Sequence, residues 1–202
     1  MSMAAPTPAP TADRGLLVVF SGPSGVGKTT LSRRVVEAVG GELSVSMTTR
    51  PQTAKDVEGR DYLFVTPEQF QASIDAGDML EWAQVFGNRY GTPRSFVEQR
   101  LAAGAVVVLE IDVAGAEQVK SKRPDAVAIF ILPPSEDALL LRLRGRGRDE
   151  EAVIQRRFAE ARAEIAQARS SGVYDHFVTN DDLDRAVAEA IELVRRRLGR
   201  PA

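Results

Sequence analysis

A glycine-rich segment at residues 22–29 has the sequence GPSGVGKT, whose residue types bind phosphate groups. It satisfies the pattern G-x-x-x-x-G-K-[ST], which is typical of phosphate-binding loops. Glycines let backbone N–H groups converge on phosphate oxygens, the lysine adds a positive charge, and the threonine hydroxyl is a ligand for Mg²⁺. We therefore expect a site for a nucleoside triphosphate with Mg²⁺. The residues predicted to contact its phosphates are Gly22, Ser24, Gly25, Val26, Gly27, Lys28, Thr29 and Thr30.

A second group consists of arginines, which neutralise charge on phosphate groups during their transfer. Gly145 and Gly147 interrupt this stretch and can act as hinges of a mobile lid. An alternative interpretation is a solvated helix face whose arginines pair with Asp149, Glu150 and Glu151. The arginines of this group are Arg142, Arg144, Arg146, Arg148, Arg156 and Arg157.

Short apolar runs bounded by Gly or Pro predict buried parallel strands. These runs are Leu16–Phe20, Ala105–Ile111 and Ala126–Leu132. Apolar residues at helical spacing predict helices over 28–39, 94–103, 113–121, 135–144, 150–169 and 183–198. Strands that alternate with helices predict a three-layer α/β fold with a parallel sheet.

Residues 43–92 follow a different pattern, which indicates a small mixed insertion. Three short candidate strands, Leu43–Thr48, Asp61–Val65 and Met79–Val85, are separated there by polar loops. Residues 1–14 are rich in Ala, Pro and Thr, which indicates a flexible tail rather than a secretory signal. We expect one domain over 15–202, with a core (15–42, 93–140 and 170–202), the insertion (43–92) and a lid (141–169).

The overall composition is that of a globular protein. The 202 residues carry a net charge of −2, so nothing global favours binding to nucleic acid or to an anionic membrane. No apolar stretch approaches the roughly 18 residues of a membrane span. The chain has no cysteine, which excludes disulfides and thiol chemistry and is compatible with the cytoplasm, the location we expect. The sequence leaves open whether the protein is a monomer or a homo-oligomer.

Several further motifs follow one another in a fixed order. They are SVSMTTR at 44–50, GRDY at 59–62, EWAQ at 81–84, GNRYGT at 87–92, LEID at 109–112, PPS at 133–135, GRG at 145–147 and NDDL at 180–183. In this order and spacing they resemble the guanylate kinases over roughly residues 16–198. The resemblance implies a P-loop kinase core with a GMP-binding insertion and a mobile lid. It also implies transfer of the γ-phosphoryl group of Mg-ATP to GMP, and to dGMP, in purine nucleotide metabolism and GMP recycling.

The resemblance also implies roles for individual residues. It implies that the GMP phosphate is held by Ser46, Arg50, Tyr62 and Tyr90, and that guanine is read by Glu81, Thr92 and Asp112. It implies that the transferring phosphoryl group is stabilised by Arg146 and Arg157, with Arg142 as a third candidate. Asn180 would contact the adenine side of ATP, although NDD before a helix is equally typical of an N-cap. Glu110 would assist Mg²⁺ through water or, alternatively, cap the edge of the sheet.

The residue types suit these roles. Guanine presents N1–H and N2–H₂ as adjacent donors that one carboxylate accepts together, whereas adenine lacks this pair. Each residue also has a structural interpretation: Tyr62 or Tyr90 as a core aromatic, Glu81 as a solvated strand residue, Arg50 as part of a loop ion pair. Their joint agreement with one pattern favours the site. We interpret His176 as a structural residue near the last strand.

One position departs from the family pattern TTR-x-x-R. Thr53 stands where a second arginine is usual, so one charge-assisted contact to the GMP phosphate is expected to be missing. Such contacts contribute about 1.5–3 kcal/mol. Lys55 is a candidate to reach the same oxygen, and we expect Thr53→Arg to lower the KM for GMP.

Two other functions compete with this interpretation. A guanylate-kinase-like module that binds phosphopeptides without catalysis tends to lose the phosphate loop, which is intact here. A ribose 1,5-bisphosphate kinase keeps the chemistry but changes the acceptor, and a sugar needs no guanine-reading residues. A GTPase would need an Asn-Lys-x-Asp motif to read its base, and the sequence has none.

Overall fold

The computed structural model describes residues 15–85, 87–145 and 150–199. In chain order its strands are β1 (Leu16–Ser21), β2 (Glu42–Leu43), β3 (Met47–Thr48), β4 (Leu63–Phe64), β5 (Met79–Val85), β6 (Asn88–Pro93), β7 (Val106–Glu110), β8 (Val127–Leu132) and β9 (His176–Thr179). Its helices are α1 (Lys28–Val39), α2 (Pro67–Asp75), α3 (Arg94–Ala102), α4 (Val113–Lys122), α5 (Glu136–Arg144), α6 (Glu151–Ser171) and α7 (Leu183–Arg197).

The larger sheet has five strands in the order β2-β7-β1-β8-β9, and every neighbouring pair is parallel. The three predicted buried strands appear as β7, β1 and β8 at its centre, with ends shifted by at most one residue. β1 is buried at all six positions because it has a strand on each side and helices on both faces. Parallel strands bring their carboxyl ends to one edge, where Phe20 lies opposite Glu110.

The core has a layer on each face of this sheet, because successive residues of a strand point to opposite faces. Val18 and Phe20 of β1 pack with the apolar faces of α1 and α7. Leu17 and Val19 pack on the other face with residues of α3, α4 and the end of α6. The three-layer α/β architecture expected from the alternating pattern is therefore confirmed.

Residues 43–92 contribute a second, mixed sheet in the order β4-β3-β6-β5. The prediction of one strand over 43–48 is wrong, because the chain changes sheets within it. Leu43 pairs with β7 in the larger sheet and Ser44 N–H donates to Val108 O, whereas the Ser46 carbonyl accepts from Leu63 N–H in the smaller sheet. The predicted strand over 61–65 is shorter in the structure, and β6 and α2 were not predicted. α2 begins with a capping box in which Thr66 exchanges hydrogen bonds with Gln69.

Helices α5 and α6 pack against each other through a small apolar cluster of Leu139, Leu143, Ile154 and Ala161. The predicted helices over 135–144 and 150–169 correspond to them. Residues 146–149, which lie between the two helices, are outside the described residues. Within the described ranges, no helix is both long and apolar enough to cross a membrane.

Candidate active site

The phosphate loop connects the end of β1 to the start of α1. Gly25 and Gly27 have positive φ angles of 89° and 92°, which residues with a Cβ rarely adopt. Gly27 is the N-cap of α1 and no side chain caps this helix, so its first N–H groups face the loop. Lys28 Nζ donates to the Gly22 carbonyl at 2.9 Å and so closes the loop on itself. The backbone N–H donors, the dipole of α1 and the Lys28 ammonium group together form a phosphate-binding environment.

Seven of the eight predicted phosphate contacts line one cavity of about 420 Å³: Gly22, Ser24, Gly25, Gly27, Lys28, Thr29 and Thr30. Val26 does not line it, since its side chain is fully buried and its N–H donates to the Pro23 carbonyl. Pro23, Asp112 and Glu164 complete the lining. Burial raises the pKa of Glu164, and the neighbouring Lys28 counteracts part of that rise. Sequence reasoning missed Glu164, because nothing distinguishes it from the other charged residues of a long helix.

Asn180 braces the phosphate loop. Its side-chain amide is buried and donates to the Val26 carbonyl at 2.7 Å. A Cβ on Gly27 would lie 2.6 Å from the Asn180 amide nitrogen, so a glycine is needed there for packing as well. The NDD segment does supply the N-cap of α7, but through Asp182, which accepts from Arg185 N–H, and not through Asn180. Contact with adenine remains a prediction.

Glu110 and Thr29 lie side by side at the edge of the phosphate loop. Thr29 Oγ1 donates to Glu110 Oε2 at 2.8 Å, and the buried Ser32 hydroxyl donates to Glu110 Oε1. Glu110 is the last residue of β7, a central strand between β2 and β1, and its role beside Mg²⁺ stays a prediction. A hydroxyl and a carboxylate in contact beside a phosphate loop are a donor set that suits Mg²⁺.

The predicted guanine-reading residues meet where β5 and β6 pack against α4. Glu81 and Thr92 face each other across the antiparallel pair, and Thr92 Oγ1 donates to Glu81 Oε1 at 2.6 Å. Both are buried, with Glu81 only 5% exposed. Asp112 is the N-cap of α4 and accepts from Gly115 N–H. Gly115 separates the two acids: a Cβ there would lie 3.0 Å from Glu81 Oε2 and 3.3 Å from Asp112 Oδ1.

Burial raises the pKa of Glu81 to about 7, the nearby Asp112 adds to this rise, and the hydrogen bond from Thr92 opposes it. The solvated-strand interpretation of Glu81 is therefore wrong. A buried carboxyl of this kind is stabilised in its charged form by further hydrogen-bond donors.

The predicted ligands of the GMP phosphate are only partly brought together. Ser46 and Tyr62 line a cavity of about 390 Å³ that also reaches Thr29 and Glu110. Tyr90 packs edge-on against Tyr62, with 5.7 Å between ring centroids. Arg50 lies 5.3 Å from the Tyr62 ring centroid. Burial raises the pKa of Tyr62.

Arg50 forms the loop ion pair that its sequence context allowed. Its two terminal nitrogens bind the two carboxylate oxygens of Asp56, each at 2.9 Å. Asp56 also accepts from the Thr53 N–H and hydroxyl, both at 2.7 Å. These hydrogen bonds, the one from Arg50 above all, hold the pKa of Asp56 well below its usual range. Sequence reasoning missed Asp56, because only the loop conformation brings it to Arg50.

The predicted lid arginines have different environments. Arg142 on α5 donates to the Asn180 carbonyl at 2.8 Å, which links this helix to the brace of the phosphate loop. Arg157 is half-buried on α6. Arg146 lies outside the described residues. Arg144 pairs with Glu151 at 2.6 Å, as the solvated-face interpretation predicts.

Comparisons with known proteins agree with this geometry. The family model for guanylate kinase matches residues 14–197. The chain is 47% identical over 181 residues to a guanylate kinase of Symbiobacterium thermophilum, covering 89% of this chain and 84% of that protein. It is 50% identical over 185 residues to one of Streptococcus pneumoniae strain R6, covering 91% and 87%.

A solved structure is also similar. The crystal structure of guanylate kinase from Anaplasma phagocytophilum superimposes with a TM-score of 0.73 at 32% identity, covering 92% of this chain and 87% of that chain. The family model matches nearly the whole described chain, and the relatives and the solved structure agree with it. The chain belongs to the guanylate kinase family.

Proposed function

We propose that this protein transfers the γ-phosphoryl group of ATP to the phosphate of GMP, giving ADP and GDP. The proposal rests on one observation. The buried carboxylate of Glu81 and the carboxylate of Asp112 both lie next to Gly115, and Asp112 also lines the phosphate-loop cavity. This arrangement supports a triphosphate site with an adjacent acceptor of paired hydrogen bonds. A phosphopeptide module needs no such base-reading carboxylate, and neither does a sugar-phosphate kinase.

Guanine recognition rests on Glu81, supported by Thr92 and Asp112. The Thr92 hydroxyl occupies one oxygen of Glu81, which fixes the orientation of the carboxylate. The other oxygen and Asp112 accept from N1–H and N2–H₂ of guanine. Adenine leaves the buried Glu81 oxygen without this donor pair, and a site of this kind rejects the wrong ligand more strongly than an apolar pocket does.

The transfer needs no covalent intermediate. An oxygen of the GMP phosphate attacks the γ-phosphorus in line, the bond to the β–γ bridging oxygen breaks, and ADP leaves. Ser46, Arg50, Tyr62 and Tyr90 hold the acceptor phosphate. Lys28 on the donor side neutralises charge that spreads over the transferring group. Arg142, Arg146 and Arg157 do the same from the lid over 141–169, whose closure excludes water.

Mg²⁺ is the metal that this donor set fits. Thr29 would bind it through its hydroxyl, and Glu110 would bind it through water. When bound, the ion screens the negative charge of the β- and γ-phosphates. Ser32 and Thr29 meanwhile keep the Glu110 carboxylate fixed at the edge of the loop. We propose the cytoplasm as the location, and ATP and GMP as the partners.

The proposal is tested by measuring ADP formation from Mg-ATP with GMP, dGMP, AMP, CMP, UMP and ribose 1,5-bisphosphate as acceptors. We expect turnover with GMP and dGMP far above AMP, and none after chelation of Mg²⁺. Glu81→Ala should lose the preference for GMP over AMP while the affinity for ATP is kept. Turnover with the sugar phosphate alone, or silence from folded protein with every acceptor, would overturn the proposal.

A further inference from the structure

The cavity that contains Ser46 and Tyr62 lies between the two sheets. Its lining includes Thr29 and Glu110 from the larger sheet and its loop, and Lys55 from the insertion. Its volume of about 390 Å³ has room for a phosphate group and part of a nucleoside. Because Thr29 and Glu110 belong to the phosphate-loop side, a phosphate group in this cavity would face the triphosphate of the donor nucleotide.

Every carboxylate of this cavity already has partners. Asp56 binds Arg50 and Thr53, and Glu110 accepts from Thr29 and Ser32. The third, Asp61, accepts from Arg60 at 3.0 Å and from Val57 N–H at 2.7 Å. Asp56 and Asp61 are thus each paired with an arginine, and Glu110 is held by two hydroxyl groups.

Two cations of the lining have no such partner. Within the described ranges, neither Lys55 nor Arg33 forms a hydrogen bond or an ion pair. Arg33 lies on α1, one turn after Thr29, and so belongs to the donor side. Lys55 lies in the loop that joins Arg50 to Tyr62, on the acceptor side. An unpaired ammonium that faces a polar cavity is suited to an incoming anion.

We propose that Lys55 binds the phosphate of the acceptor nucleotide and supplies the positive charge that Arg50, held by Asp56, gives only in part. The inference rests on the proposed function, since it assigns a ligand within the GMP site. It also explains how the site can work with Thr53 in place of an arginine. The N–H and hydroxyl of Thr53 donate to Asp56, so this residue supplies no positive charge to an anion. Lysine is a point charge, so Lys55 contributes affinity for the phosphate with less orientation than a guanidinium fork provides.

The test measures binding without turnover, by calorimetry with GMP and with guanosine, which lacks the phosphate. Lys55→Ala should weaken GMP binding about ten-fold, since a charge-assisted hydrogen bond is lost, and should leave guanosine binding unchanged. Lys55→Arg should restore GMP binding. Arg60→Ala removes the same charge from the same loop, but its guanidinium is paired with Asp61 and exposed, so we expect less than about a two-fold change.

The outcomes separate this inference from the proposed function. If the wild-type protein binds GMP no better than guanosine, the assignment of this cavity as the site of the acceptor phosphate is wrong. If the wild-type protein prefers GMP and Lys55→Ala keeps that preference, only the role of Lys55 is wrong. A full loss with Arg33→Ala and none with Lys55→Ala would assign the contact to the donor side and overturn the inference.

Discussion

The side-chain amide of Asn180 donates to the backbone carbonyl of Val26 at 2.7 Å, so a residue after β9 supports a loop that is 154 positions away in sequence. The backbone carbonyl of Asn180 accepts from Arg142, and its N–H donates to the Leu132 carbonyl. The phosphate loop, the end of β8 and helix α5 are thus joined through one buried residue.

We expect Asn180→Ala to weaken ATP binding. The substitution leaves the Val26 carbonyl without its donor, which costs about 1–3 kcal/mol of stability, and loosens the loop that binds phosphate. The KM for ATP should rise several-fold while the KM for GMP stays close to that of the wild type. Asp182→Ala is the matched control, because it removes the N-cap of α7, at a cost of about 1 kcal/mol, without touching the loop. An equal rise in the KM for ATP in both variants would show that the brace has no specific role.

A second prediction concerns the pH dependence of stability. The pKa of Glu81 is raised from an ordinary value of 4.5 to about 7, so the unfolded state loses this proton first as the pH rises. The contribution of Glu81 to the free energy of unfolding should therefore be greatest below pH 4.5 and should fall between about pH 4.5 and 7. The total fall is about 3 kcal/mol.

Glu81→Gln checks this prediction, because an amide of similar shape does not titrate. Urea denaturation of both proteins between pH 4.5 and 8 should show that the variant lacks this part of the decline. Parallel curves for the two proteins would mean that Glu81 titrates at its ordinary value.

Gly115→Ala should weaken GMP binding selectively. The new methyl group lies 3.0 Å from Glu81 Oε2 and 3.3 Å from Asp112 Oδ1, so the buried carboxylate must shift by a few tenths of an ångström. We expect the KM for GMP to rise about ten-fold, as loss of one charge-assisted hydrogen bond implies. Alanine is about 1 kcal/mol better than glycine within a helix, so thermal denaturation distinguishes this effect from unfolding. An unchanged KM for GMP would place guanine away from Glu81.

Thr53→Arg should strengthen GMP binding. The variant loses a hydroxyl that donates to Asp56 and gains a guanidinium beside the acceptor cavity. The KM for GMP should fall about ten-fold without a change in the KM for ATP. Thr53→Ala is the control, since it loses the same hydroxyl and gains no charge. A KM for GMP that stays level or rises in Thr53→Arg contradicts the prediction.

The sequence predicted the central strands and the phosphate loop, because both depend on local signals: apolar runs bounded by turns and a glycine spacing. It also predicted that Glu81 and Thr92 belong to one site, but only through the resemblance. Nothing local indicates that β5 and β6 place them opposite each other. The split of segment 43–48 between two sheets was not predictable, because it depends on the distant partners Val108 and Leu63.

Asp112 lies beside Glu81 and also lines the cavity of the phosphate loop. If ATP and GMP bind on either side of this carboxylate, each changes its electrostatic surroundings, and we expect the affinity for each to depend on whether the other is bound. Such a coupling is reciprocal by thermodynamic necessity: the factor by which ATP changes the dissociation constant of GMP equals the factor by which GMP changes that of ATP. We therefore expect a single acid at the border of the two proposed pockets to make the two binding events cooperative rather than independent.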